Sequence, residues 1–356
     1  MTITTECPTG VVETPVGGRP DAPTATLILP AGASYEEWKT VRRGGLGGSD
    51  VGAILGVDEN RGPLRVWYEK AGYEEPETER MRWGKRLEQA IAEGFEEDTG
   101  LDTMVPAGTY AHLDHAWALA NPDRWAVQDG VILGPVELKN KTEYLADKWE
   151  DVDEPPHQPA TQAHWYRGVC GHKRGSWVVA LVGGNRLRVF FQPTSEELTT
   201  EMFRLAGEWW QRHIVEGVRP QADGLKRTTD FLAALYDVKP EQVAEVEVNE
   251  ARELRLKYAS LTDQAKALDA QLEEVKNLMR DTAGEAEVVK SGKSVAWSWK
   301  ANGNFKKREF REAEPELAAK YTRTVEEIDT DALAAEHPLI YTKFRARVLR
   351  VPKKEI

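Results

Sequence analysis

From Ser34 onward the chain switches between stretches whose apolar residues recur every three or four positions and stretches where they alternate or run together. Ser34 and Glu37 match a capping box, and Trp38 and Val41 give the next turns an apolar side, so a helix is predicted up to Arg42-Arg43-Gly44-Gly45. The glycine-rich run 44–48 leads through Ser49, a predicted N-cap, into a short helix of small residues. Pro63 opens another helix that Gly72 closes. Between Met81 and Gly100, Trp83, Leu87, Ile91 and Phe95 recur every four residues, a strong amphipathic pattern with a glycine terminator.

At Ala120–Lys139 the period changes. Trp125 and Val127 alternate with their neighbours, Gln128-Asp129-Gly130 supplies a turn, and Val131 to Leu138 returns as a mostly apolar strand interrupted by Gly134-Pro135. Helical spacing resumes from His157 to Val169. A second hairpin, Ser176 to Phe191, turns through Gly183-Gly184-Asn185, and a long helix runs from Ser195 to about Val215. The mixture predicts an α/β (α+β) core. Residues 1–30, rich in Pro, Gly and Thr, read as a flexible N-terminal arm, and residues 221–245 as a connector. In the C-terminal extension, 246–356, Leu254, Tyr258, Leu261, Ala265, Leu268, Leu272, Val275 and Met279 form a coiled-coil-like seam. That seam suits packing on the chain's own last helices, on the preceding body or on another subunit. A hairpin over 287–300, basic Lys306-Lys307-Arg308, a short helix near 331–336 and a closing strand over 344–351 complete the pattern.

The central hairpin carries the candidate chemistry. Asp123 begins its outgoing strand and Glu137 lies near the end of its return, while Lys139 projects from the same face as Glu137 because strand side chains alternate. Two hard carboxylates with the intervening Leu138 carbonyl suit Mg²⁺ and leave room for water and a phosphate oxygen, with the lysine orienting or deprotonating the water. From the tripeptide alone a surface hairpin with an ordinary Glu/Lys pair is the favoured reading, because Glu-x-Lys is common in any charged sequence; the surrounding residues change that weighting. Glu88 adjoins the apolar stripe of its helix, either as a solvated boundary residue or facing the metal. Gln162 suits a phosphate, a metal-bound water or a strand cap. The glycine run with Ser49 presents a helix start to a phosphate, Arg42 adding charge, or else makes a tight turn for close packing.

Composition narrows the classes. A chain of 356 residues has room for two domains, and with 40% hydrophobic and 30% charged residues its composition is that of a soluble globular protein. No apolar run is long enough to span a bilayer and Met1–Cys7 lacks signal-peptide character, so a reducing cytoplasm is expected, with Cys7 and Cys170 as free thiols. A net charge of −12 argues against a general nucleic-acid coating protein but not against a nuclease, whose metal ligands are themselves acidic.

The order Trp38, Arg42, Gly47-Gly48-Ser49-Asp50, then Trp83-Gly84-Lys85-Arg86-Leu87-Glu88, Asn121-Pro122-Asp123, Glu137-Leu138-Lys139 and Gln162-Ala163-His164-Trp165-Tyr166 closely resembles the YqaJ-type viral recombinases. These are the phage λ-exonuclease-like branch of the PD-(D/E)xK nuclease superfamily. The resemblance covers roughly residues 34–217 and implies a restriction-endonuclease-like core with a mixed central sheet, placed here at 31–220. It implies a Mg²⁺-dependent exonuclease, with Mn²⁺ able to substitute, that digests one strand of double-stranded DNA from its 5′ end and leaves a 3′ single strand for an annealing protein. Asp123 and Glu137 would be metal ligands with the Leu138 carbonyl, Lys139 would position the water, Glu88 would be a further acid and Gln162 a helical site residue. Arg42 and Ser49 would bind the 5′-terminal phosphate. Homo-oligomers, ring-forming trimers in relatives, and the cytoplasm of a bacterial host are further implications. Two departures stand out: Arg124 replaces the usual glycine after Pro-Asp, and His164 replaces a second glutamine. An endonuclease of restriction or junction type and a non-catalytic DNA-end-binding adaptor are the competing expectations.

Overall fold

In the computed structural model, which describes residues 21–236, 239, 242–323 and 327–345, regular structure begins earlier than the pattern predicts. Ala25–Pro30, inside the stretch expected to be a flexible arm, forms strand β1 with Ala25 and Thr26 buried; residues 1–20 of that arm lie outside the described residues. Helix α1 (Tyr35–Arg43) starts at the expected capping box of Ser34 and Glu37. Helix α2 (Gly48–Ile54) is capped by Gly47, so Ser49 sits inside the first turn rather than at the cap, and it is Asp50 whose carboxylate accepts from the Gly47 N–H at 3.1 Å. α3 (Pro63–Lys70) and the 21-residue α4 (Glu79–Thr99) follow. Only the second half of α4 is buried: Ile91 and Phe95 are in the core, whereas Trp83 is 48% exposed.

Strands β2 (Asp102–Met104), β3 (Gly108–His112), β4 (Leu119–Ala120), β5 (Arg124–Gln128) and β6 (Val131–Lys141) come next. β1, β3 and β4 make a three-stranded sheet. Asp129 and Gly130 both take positive φ, 51° and 75°, the backbone of a type I′ turn, which matches the twist of the β5–β6 hairpin. Helix α5 (His157–Cys170) then crosses to β7 (Gly175–Val182), which pairs parallel with β6 and antiparallel with β8 (Arg186–Pro193). The result is a mixed five-stranded sheet of order β2-β5-β6-β7-β8.

The sheet is apolar on both faces, as expected of a layer covered by helices. Ile91, Phe95, Leu138 and Val179 share a cluster on the α4 side; Ala163, Val178 and Ala180 share one on the α5 side. Register places Glu137 beside Val178 and Lys139 beside Ala180, so both polar side chains lie on the α5 side of the sheet and Leu138 on the other. The Trp165 indole, fully buried, donates to the Leu119 carbonyl at 2.9 Å and ties α5 to the small sheet.

Helix α6 (Glu196–Trp210) runs into a π-helical turn, Gln211–Val215. The region expected to be a connector contains helix α7 (Lys226–Leu235), whose Phe231 packs on Leu64 and Tyr68 of α3. Two compact units part between residues 237 and 238. The second holds the 36-residue α8 (Val248–Ala283) and the hairpin β9 (Val288–Ser291) and β10 (Ser294–Ser298), where the Trp297 indole donates to the Met279 carbonyl at 3.1 Å. Four short helices follow: α9 (Lys307–Ala313), α10 (Pro315–Lys320), α11 (Thr330–Glu336) and α12 (Pro338–Lys343). Of the closing strand expected over 344–351, residues 346–351 lie outside the described residues, and Phe344 and Arg345 follow α12 without forming a strand. Among the described residues, no helix is long and apolar enough to cross a membrane.

Candidate active site

Glu137 enters the site from β6, one residue past the end of its pairing with β5 and opposite Val178 of β7, and it is almost wholly enclosed. One oxygen, Oε1, takes a hydrogen bond from the Lys139 ammonium, and the other, Oε2, is buried with no partner. Asp123 immediately precedes β5 and is held across the hairpin, its Oδ2 accepting from the Leu138 N–H at 2.7 Å. Lys139 also reaches Gln162 Oε1 at 3.3 Å, and the Gln162 amide donates to the Tyr166 hydroxyl at 3.2 Å one turn further along α5. Asp123, Glu137, Lys139 and Gln162 are therefore brought together.

The electrostatics are those of crowded acids in a poorly solvated place. Burial, then repulsion from Asp123, pushes the Glu137 carboxyl up to about 8. Burial also raises Asp123. Glu88 on α4 is pushed up to about 7 by burial and by Asp123, which shows that it senses the same field. Burial works against the Lys139 ammonium, but Glu137 and Asp123 outweigh it and hold its pKa above the usual lysine value.

This donor set fits a hard divalent cation. An enclosed carboxylate oxygen without a hydrogen bond is costly unless something else occupies it, and the neighbouring carboxylates need a positive charge between them. Asp123 and Glu137 would hold the cation with the Leu138 carbonyl. Among the described residues, no three His, Cys, Asp or Glu side chains gather into a metal-binding group, so Glu88 does not complete a three-carboxylate set with Asp123 and Glu137.

Arg42, near the end of α1, projects toward α2, where its guanidinium meets the Ser49 hydroxyl at 3.2 Å and stacks over Trp38 with its centre 5.1 Å from the ring. A pocket of about 170 Å³ is lined by Trp38, Arg42 and Ser49 on one side and by Asp123, Gln162 and Tyr166 on the other. The two groups of site residues thus open into one space. Because α2 has only seven residues and Asp50 already accepts from the Gly47 N–H, the helix start itself contributes little; the guanidinium and the hydroxyl remain.

Sequence reasoning quoted Asp50 and Tyr166 within its motifs but gave neither a role in the site. The two departures from the family pattern take different roles. Arg124 donates to the Asp123 carbonyl at 2.7 Å and to Gln89 of α4 at 3.1 Å, bracing the acid-bearing turn. His164 points away from the acids, with Nε2 3.0 Å from Thr199 Oγ1 on α6.

A mixed sheet with an acid pair and a lysine on its central hairpin, next to a cationic pocket, is the frame on which comparison with known proteins can be placed. Residues 37–173 match the YqaJ-like viral recombinase domain. The uncharacterized protein YqaJ of Bacillus subtilis (strain 168) is 30% identical over 265 residues, which is 71% of this chain and 80% of that one. The chain belongs to the YqaJ-like viral recombinase family. Among solved structures, an alkaline exonuclease from Laribacter hongkongensis aligns with a TM-score of 0.43 and 15% identity, covering 56% of this chain and all of that one. Its complex with dAMP aligns with the same score and coverage at 17% identity.

Proposed function

We propose that this protein is a Mg²⁺-dependent exonuclease that digests one strand of linear duplex DNA from its 5′ end, leaving a 3′ single strand for an annealing protein. Mn²⁺ would serve in place of Mg²⁺. One observation carries the reading: Arg42 and Ser49, fitted to a terminal phosphate, line the same pocket as Asp123 and Gln162 of the acid cluster. A phosphate clamp beside a hydrolytic centre is useful at a DNA end and of little use in the interior of a duplex.

The contacts support the following roles. Asp123 and Glu137, with the Leu138 carbonyl, would hold the cation, which when bound would supply Lewis-acid stabilisation of phosphodiester hydrolysis. Lys139, fixed between Glu137 and Gln162, holds the attacking water and offsets charge that develops on the phosphate. Gln162 keeps the lysine in place and is itself set by Tyr166. Arg42 and Ser49 bind the 5′-phosphate through charge-assisted hydrogen bonds. Arg124 keeps Asp123 at its turn.

The test is digestion of linear duplex DNA labelled separately at its 5′ and 3′ ends, with Mg²⁺ and with EDTA, beside a covalently closed circle. Nucleotides released from 5′ ends of linear DNA only, and not in EDTA, are expected. Cutting of the closed circle would replace this reading with an endonuclease.

A further inference from the structure

The Asp50 carboxylate meets the Arg42 guanidinium behind the pocket lining, and the machinery above makes no use of it. It is fully buried. Oδ2 takes hydrogen bonds from Lys70 at 2.7 Å and from the Gly47 N–H at 3.1 Å, while Oδ1 meets Arg61 at 2.5 Å and Arg42 at 3.4 Å. Lys70 in turn donates to the Arg42 carbonyl at 2.7 Å. Arg42 is therefore gripped at its backbone by Lys70 and at its guanidinium by Asp50 and Ser49. Trp38 covers the guanidinium face.

The cations around this carboxylate are not equivalent. Lys70 keeps 4% of its side-chain surface and Arg61 15%, while Arg42 keeps 39%. Arg61 and Lys70 neutralise Asp50 from within, and Arg61 has a second acceptor in Glu69. Only Arg42 of the three lines the pocket, and the three cations outnumber Asp50 and Glu69, which leaves a positive balance for an incoming anion. An aspartate placed directly under an anion pocket would repel its ligand if it were unpaired. Here it acts instead as an anchor for the arginine.

Resting on the 5′-phosphate reading, we propose that Asp50, locked by Lys70, is the positioning residue that sets the Arg42 guanidinium for the terminal phosphate and so determines the preference for phosphorylated ends. Asp50 touches no substrate; it works through Arg42.

The experiment measures, in EDTA and by fluorescence anisotropy, the affinity of the full chain for a DNA hairpin with a single blunt end carrying either a 5′-phosphate or a 5′-hydroxyl. The wild-type ratio is expected to be about tenfold or more in favour of phosphate, the fold-change of one charge-assisted hydrogen bond. Asp50→Asn should bring the ratio to within about threefold of unity, and in an Arg42→Ala background it should change the ratio no further, because coupled residues are not additive. A merely structural role would lower both affinities alike and leave the ratio as it was. Lys70→Met, which frees the Arg42 carbonyl, should lower the ratio too and carries the test if Asp50→Asn does not fold. A wild-type ratio near unity would refute the end clamp itself. A high wild-type ratio retained by the folded variants would overturn the role of Asp50 alone.

Discussion

Two glycines of α2 make opposite predictions from the same substitution. Both are buried and neither has positive φ, so an alanine strains neither backbone. In a helix the exchange by itself favours alanine by up to ~1 kcal/mol. At Gly52 the added methyl would find Gln158 Cγ at 3.5 Å and Val57 Cγ2 at 3.7 Å, which are ordinary contacts. At Gly48 it would lie 2.8 Å from Gln162 Cγ, 2.9 Å from Gln162 O and 3.0 Å from Gln162 Cα. Two of those atoms belong to the backbone of α5, so no rotamer change clears them and α2 must retreat, an overpacking cost of about 1–3 kcal/mol. Gly52→Ala is therefore expected to stabilise the first unit by ~0.5–1 kcal/mol and Gly48→Ala to destabilise it by ~1–2 kcal/mol. Calorimetry of the full chain should show the transitions moving in opposite directions, by about 2–4 °C per kcal/mol for a unit of this size. Gly48→Ala should also reduce the preference for 5′-phosphorylated ends, since Ser49 is the next residue on the helix that must retreat. A Gly48→Ala protein as stable as the wild type would refute the close helix contact.

Other consequences are open to direct measurement. Mg²⁺ or Mn²⁺ should raise the melting temperature, by the equivalent of ~2.7 kcal/mol at a hundredfold excess over Kd, and Glu137→Ala should abolish most of that rise. Lys139→Ala should lose turnover while keeping the cation-induced rise, so equal loss of the rise in both variants would contradict their separate roles. His172, held neutral by burial with Nε2 3.1 Å from the Asp21 carbonyl, has its pKa pushed down from 6.5 to about 4. The unfolded chain takes up that proton first, so the stability it contributes is complete above pH 6.5 and is lost as pH falls toward 4. The loss amounts to at most ~3 kcal/mol, and His172→Phe should flatten urea unfolding midpoints across that window.

What was legible in the sequence was local. Asp129-Gly130 announces its turn, a Glu and a Lys two apart on one strand share a face, and the resulting acid hairpin needs no knowledge of distant residues. Asp50, Arg61 and Lys70 are spread over 21 positions and look like solvated charges until α3 folds against α2. The stripe beginning at Trp83 has correct helical spacing, but periodicity does not report where the sheet beneath a helix stops, and the first turns of α4 extend past it. β1 was obscured because its six residues stand between Pro- and Gly-containing segments, and its partner β3 lies about eighty residues away. The run 221–245 hid α7 for a similar reason: Phe231 acquires its meaning only from Leu64 and Tyr68.

The contact between Gly48 and Gln162 also bears on how a substrate would be measured. Gly48 carries no side chain and lies against both the backbone and the Cγ of Gln162, so α2 and α5 pack without slack there. On the proposed reading the protein would work as a caliper: the distance from a terminal phosphate at Arg42 and Ser49 to the bond being cut would be held by the close packing of α2 on α5. Fragments of uniform length are the signature of such a device, whatever the sequence of the DNA.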